Sequence, residues 1–80
     1  MARRRFYRSM ARVRTSGAHT TYQIHRSFDA AKSAAEEVAE RQNAAGGDYF
    51  PEVHVVQPGK GQGGKDLVTR VLQVDGEWQT

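Results

Sequence analysis

Apolar and polar residues alternate one by one along much of residues 12–26 and recur every third or fourth position from about residue 30 to residue 44. A period of two marks a half-buried strand, and a period near 3.6 marks an amphipathic helix. Arg12-Val13-Arg14-Thr15 and Thr20 to Arg26 both alternate, with Ser16-Gly17-Ala18-His19 supplying turn chemistry between them. This predicts a β-hairpin over residues 12–28 in which Tyr22 and Ile24 share one face and Thr21, Gln23 and His25 the other. Its first strand extends back to about Arg5. Over that stretch Phe6, Met10 and Val13 also fall at helical spacing, so a short basic helix is the competing reading.

The period changes from about Ala30 to Ala44. Ala31, Ala34, Ala35, Val38 and Gln42 form one stripe of a helix, opposite Lys32, Ser33, Glu36, Glu37, Glu40 and Arg41. Asp29 is suited to cap the free N–H groups of the first turn, and Phe28 to fold back on that turn. Gly46-Gly47 ends the helix. A stripe made almost wholly of alanine allows close approach to a sheet but adds little core volume, so the sheet must supply the bulk.

Two more strands follow, Glu52 to Val56 between Pro51 and Pro58, and the β-branched run Asp66 to Val74. Pro58 to Lys65 joins them as a Gly-rich loop. Asp75-Gly76 is a turn signal, and Glu77 to Thr80 forms a short edge segment. The predicted fold is α+β, in the order β-β-α-β-β, with one helix packed on one face of a small antiparallel sheet. Residues 1–80 make a single domain, in which residues 1–5 are a flexible basic N-terminus and residues 58–65 a flexible loop.

The basic first hairpin, the Phe28-Asp29 helix start and the Ala/Glu helix running into Glu40-Arg41-Gln42-Asn43-Ala44 resemble small ββαβ-type proteins of unknown function from actinobacteria and their phages. The resemblance covers about residues 12–57. It implies the same fold and a phage or bacterial origin, and it carries over no functional residues.

The absence of cysteine excludes disulfides, thiolate metal sites and cysteine nucleophiles, and it points to a reducing, cytoplasmic compartment. No apolar run approaches the roughly 20 residues that cross a bilayer, so no membrane is expected as a partner. The start, Met1-Ala2-Arg3-Arg4-Arg5, has the charged head of a signal peptide without its apolar core. An Arg-rich, acid-free transit peptide fits that composition better, but its removal would delete a strand. With 80 residues, 38% of them hydrophobic, the chain buries only about 60% of its unfolded surface, so a partner is a natural supplement.

Charge is unevenly spread. The net +3 divides into +7 over residues 1–26, −4 over residues 27–54 and zero over the rest. Counted by twos, Arg4, Phe6, Arg8, Met10, Arg12 and Arg14 share one face of the first strand. Arg5, Tyr7, Ser9, Ala11 and Val13 share the other, expected to turn toward the helix with Tyr22 and Ile24. Guanidinium groups meet phosphates in a bidentate way, and a neighbouring aromatic ring can stack on a base. DNA or RNA is therefore one candidate partner, bound through Arg3, Arg4, Arg5, Phe6, Arg8, Arg12 and Arg14, with Lys60 and Lys65 at a basic loop tip. The competing readings are a solvated basic edge that blocks aggregation and a protein-interaction module. Such a module would be a homodimer or a modulator of a host protein, drawn by apolar groups that an alanine-lined helix covers thinly.

Catalytic readings find little support. Gly59 to Lys65 matches phosphate-binding-loop spacing, but Asp66 stands where a Ser or Thr should hold magnesium, and a strand rather than a helix follows. His19, His25 and His54 are scattered, although the last two lie on different strands that could be neighbours. Glu36, Glu37 and Glu40 solvate the outer helix face. No enzyme activity, catalytic residue, cofactor or metal is expected.

Overall fold

The computed structural model describes residues 4–79. Arg3, one of the expected ligand residues, lies outside them. The elements are β1 (Phe6–Val13), β2 (Gln23–His25), α1 (Phe28–Ala44), β3 (Tyr49–Gln57), a 3₁₀ turn (Gln62–Gly64), β4 (Leu67–Val74) and β5 (Glu77–Trp78). One five-stranded sheet in the order β2-β1-β3-β4-β5 pairs antiparallel throughout, and α1 covers one of its faces. The opening residues form a strand, because β1 finds hydrogen-bonding partners on both sides, β2 and the full run of β3 from Tyr49 to Val56.

Alternation and register divide the side chains. Tyr7, Ser9, Ala11 and Val13 of β1 lie opposite Val55, Val53, Pro51 and Tyr49 of β3, and this set faces α1. Ala31, Ala35 and Ala39, each four residues apart, are buried against it, with Val53 at the centre and Tyr7, Phe28 and Trp78 around the rim. The Tyr7 and Phe28 rings stack with centroids 5.7 Å apart. Ala39 takes the place expected of Gln42, which is exposed: the helix has turned slightly so that its smallest side chains meet the sheet. Glu36, expected to be solvated, accepts hydrogen bonds from Gln73 Nε2 (2.7 Å) and the Trp78 indole (3.3 Å), which ties α1 to β4 and β5.

The N-cap is Ser27 rather than Asp29. Its backbone is extended, and its Oγ accepts from the Ala30 N–H at 3.1 Å. Asp29 sits inside the first turn, where its charge complements the helix N-terminus and pairs with Lys32 at 3.2 Å. At the other end Gly46, with φ of 96°, and Gly47, whose N–H donates to the Gln42 carbonyl, turn the chain. The Asn43 side chain then both donates to and accepts from the Tyr49 backbone, which starts β3.

The first hairpin differs from expectation in its second arm. Only Gln23–His25 is strand, preceded by an isolated Arg12–His19 bridge. Arg8 lies opposite Ile24, so Ile24 and Tyr22 belong to the face away from α1. Two local contacts account for this. His25 Nε2 lies 2.8 Å from the hydroxyl of buried Ser9, giving that hydroxyl a partner beneath the helix. On the other face the Arg8 guanidinium stacks over the Tyr22 ring at 5.1 Å. His25 and His54 are not neighbours, since β1 separates them and they occupy opposite faces.

Candidate functional site

The sheet face that α1 leaves uncovered carries Phe6, Arg8, Met10 and Arg12 from β1, Phe50, Glu52, His54 and Val56 from β3, and Val68, Arg70 and Leu72 from β4. Of the even-numbered set predicted for the first strand, Phe6, Arg8, Met10 and Arg12 share one face, the open one, while Arg4 and Arg14 lie outside β1. Arg70, Glu52, His54 and Phe50 join it through strand pairing that residue spacing within β1 does not announce.

Glu52 is the hub of this face. It is fully buried although no second layer lies above it, because side chains clamp both carboxylate oxygens. Arg12 Nε donates to Oε1 and Nη2 to Oε2, both at 2.7 Å. Arg70 donates through Nη2 to Oε1 at 3.0 Å and through Nε to Oε2 at 3.3 Å. His54 Nε2–H donates to Oε2. Burial alone would push the Glu52 carboxyl up, but the Arg12, Arg70 and His54 hydrogen bonds outweigh it and hold the group at about 2. The same hydrogen bond to Glu52 raises Arg12 above its usual value. Burial, assisted by the charges of Arg70 and Arg12, lowers His54 despite its bond to Glu52, so at neutral pH the ring is uncharged. Glu52 is thus an anion with no exposed surface and no spare oxygen, suited to holding guanidinium groups rather than to moving protons.

The remaining arginines differ in how they are held. Arg8 has no carboxylate partner among the described residues; its guanidinium packs over Phe6 (5.8 Å) and Tyr22 (5.1 Å). Its Nε is buried without a hydrogen-bond partner. Arg14 pairs with Asp48 at 3.2 Å and lies over Phe50, but both charges of that pair are largely exposed and screened. Arg70 keeps about half its side chain in solvent while it holds Glu52, whereas Arg12 retains only 18%. Arg4 is exposed just ahead of β1. Arg5 turns the other way, to Gln57 Oε1 at 3.4 Å, and shares a small depression with Pro58 and Lys60 at the end of the sheet.

Lys60 and Lys65 stand at that same end, on a loop that closes on itself. The Gly61 N–H donates to the Lys65 carbonyl at 2.6 Å, and the Gly59 N–H to Asp66 Oδ1 at 3.4 Å. A strand, β4, follows the loop, so the helix that a phosphate-binding loop would open is not there. Among the described residues, no three His, Cys, Asp or Glu side chains gather to hold a metal ion, and no helix is long and apolar enough to cross a membrane. Comparison with protein-family models, curated proteins and solved structures gave no match in any of the three.

Proposed function

We propose that this protein binds nucleic acid on its uncovered sheet face. One observation carries the reading: Arg8, Arg12 and Arg70 share that face with the rings of Phe6, Tyr22 and Phe50, while of its two carboxylates among the described residues Glu52 is buried and paired and Glu77 stands at the far β5 edge. The acidic residues Glu36, Glu37 and Glu40 lie on α1, across the sheet from it. Cations interleaved with aromatic rings on a flat, open sheet suit phosphates that track the groove and bases that stack. Arg4, Arg5, Lys60 and Lys65 extend the positive surface around one end. The cysteine-free composition supports a cytoplasmic setting. Packing this face against the same face of a second copy would set arginines against arginines, which favours an anionic partner over a face-to-face dimer.

Binding of this kind draws its affinity from counterion release, so log K falls linearly with log salt, by about 0.7 per neutralised phosphate on a single strand. Fluorescence anisotropy with labelled single-stranded DNA and RNA, titrated at low and raised salt, measures this slope. Binding at micromolar protein is expected with a slope between about −0.7, from Arg8 alone, and about −2, where phosphates also draw on Arg12 and Arg70 against Glu52. Arg8→Gln, which breaks no carboxylate pair, should lower the slope by about 0.7 while leaving the thermal midpoint close to that of the parent. No salt-sensitive binding to either polymer, or a slope unchanged in Arg8→Gln, refutes the reading.

A further inference from the structure

The two edges of the sheet differ sharply. One ends in β2, three residues long. The other is β4, Leu67–Val74, and β5 covers only its last part: Gln73 lies opposite Trp78, Val74 opposite Glu77, and the Gln79 N–H donates to the Leu72 carbonyl at 2.9 Å. Leu67 to Val71 therefore has no strand on its outer side among the described residues. Leu67, Val68, Thr69 and Arg70 are all exposed. Of the usual means by which an edge avoids pairing with another chain, this stretch has no proline or bulge, and its one charge, Arg70, is drawn to Glu52 on the open face.

We infer that this edge pairs with the same edge of a second copy, antiparallel about a two-fold axis at Thr69, joining two sheets into one. Three features favour the second copy as occupant. The first is hydrogen-bond phase. A strand residue points its N–H and C=O to the same side, and the sides alternate; the bond at Leu72 therefore directs the groups of Val68 and Arg70 outward. A window from Leu67 to Val71 is centred on Thr69, so pairing about that centre sets Val68 against the second copy's Arg70. These become the hydrogen-bonded pairs, and Thr69 meets its counterpart at the closer, non-hydrogen-bonded position.

Fit and charge are the other two. β4 begins at Leu67, so the second copy's chain leaves the strand where Gln79 of the first takes over the edge. Arg70 is the sole charge in the window and faces Val68 rather than another arginine, and Leu67 faces Val71. Antiparallel pairing also brings the loop end, with Lys60 and Lys65, beside the hairpin end, with Asp75 and Glu77. The nearby Asp66 is occupied by the Gly59 N–H. Because the axis stands perpendicular to the sheet, both open faces lie on the same side of the dimer.

Sedimentation equilibrium over rising protein concentration tests the state, and substitutions at Thr69 test the register. Thr69 is exposed, so replacing it leaves the monomer's core alone. Thr69→Lys and Thr69→Glu should each sediment as monomer where the parent is dimer, and an equimolar mixture of the two should recover the dimer mass. The chain has no cysteine, so Thr69→Cys introduces a lone thiol at the axis. A non-hydrogen-bonded antiparallel pair falls in the Cα separation that a disulfide spans. Mild oxidation should link Thr69→Cys into a covalent dimer at least tenfold faster than Val68→Cys. A parent that stays monomeric throughout overturns the inference. So does a dimer that persists in Thr69→Lys, or one that cross-links no faster at position 69 than at 68.

Discussion

Glu52→Gln is the substitution that most directly probes the sheet face. It keeps the side chain's size and removes the charge that Arg12 and Arg70 clamp and His54 bonds. The carboxyl lies at about 2, against 4.5 for an unperturbed glutamate. At about 1.4 kcal/mol per pKa unit, its ionised form contributes about 3 kcal/mol to folding at neutral pH. Breaking a buried ion pair from one side typically costs a similar 3–5 kcal/mol or so. An 80-residue domain has only about 4–12 kcal/mol in total, so the variant should lie near the edge of unfolding. The sign with pH follows from the depressed value: the contribution is complete above pH 4.5 and is lost as pH falls from there through about 2. His54 adds to acid lability over a higher range. Its folded value lies below 6.5, so as pH falls below 6.5 the unfolded state takes up the proton first. Urea denaturation followed by the fluorescence of the single tryptophan, at pH 7 and stepwise to pH 2, measures both. The parent should lose stability steeply below pH 4.5, and Glu52→Gln should start lower and respond less. A variant within about 1 kcal/mol of the parent at pH 7, or one with the same acid slope, would refute the assigned role of Glu52.

Three smaller perturbations test the way α1 is seated. Ser27→Ala removes the cap on the Ala30 N–H and should cost about 1 kcal/mol, read from the urea midpoint, whereas Asp29→Asn should cost only a few tenths. A Cβ at Gly47 would lie 2.6 Å from the Tyr49 ring and 2.9 Å from the Gln42 carbonyl. The ring can swing aside but the backbone carbonyl cannot, so Gly47→Ala should destabilise by about 1–3 kcal/mol, read as a drop in thermal midpoint by circular dichroism.

The elements were legible where one local pattern was unbroken. The helix shows in the sequence because it buries one stripe, and burial imposes the period, whereas β3 and β4 show as β-branched runs set off by Pro and Gly. The N-cap stands two residues before Asp29: Ser27 and Asp29 are both competent caps, and only the position of Phe28 in the first turn decides between them. The face of Tyr22 and Ile24 differs from expectation for another reason. β2 is three residues long and its apolar residues, Tyr22 and Ile24, are exposed rather than buried, so its alternation does not show which side meets the helix, and a slip of one residue moves every side chain to the other face. The open face was half legible: alternation along the first strand groups Arg4, Phe6, Arg8, Met10, Arg12 and Arg14, of which Phe6, Arg8, Met10 and Arg12 fall within β1. That Glu52 and His54 share a face was also available, since they stand two apart in a strand. That this face meets Arg12, forty residues earlier, depends on β1 lying beside β3, a matter of strand order.

How a sheet can leave one face open in so short a chain follows from what lies on it. Met10, Glu52 and Val56 are buried there with no second layer above them. Met10 stands between Arg8 and Arg12 along β1, and Glu52 lies beneath the guanidinium groups of Arg12 and Arg70. Arginine suits this task because its apolar stem can lie on a surface while its planar head stays in water and stacks on rings, as Arg8 does on Phe6 and Tyr22. The lid of this face is therefore made of the groups that would meet a phosphate. Their readiness to do so differs: a phosphate reaching Arg12 or Arg70 competes with Glu52, whereas one reaching Arg8 competes with no carboxylate among the described residues. Glu52 thus holds two of the arginines in place and limits their charge, and Arg8 leads the contact with an anion.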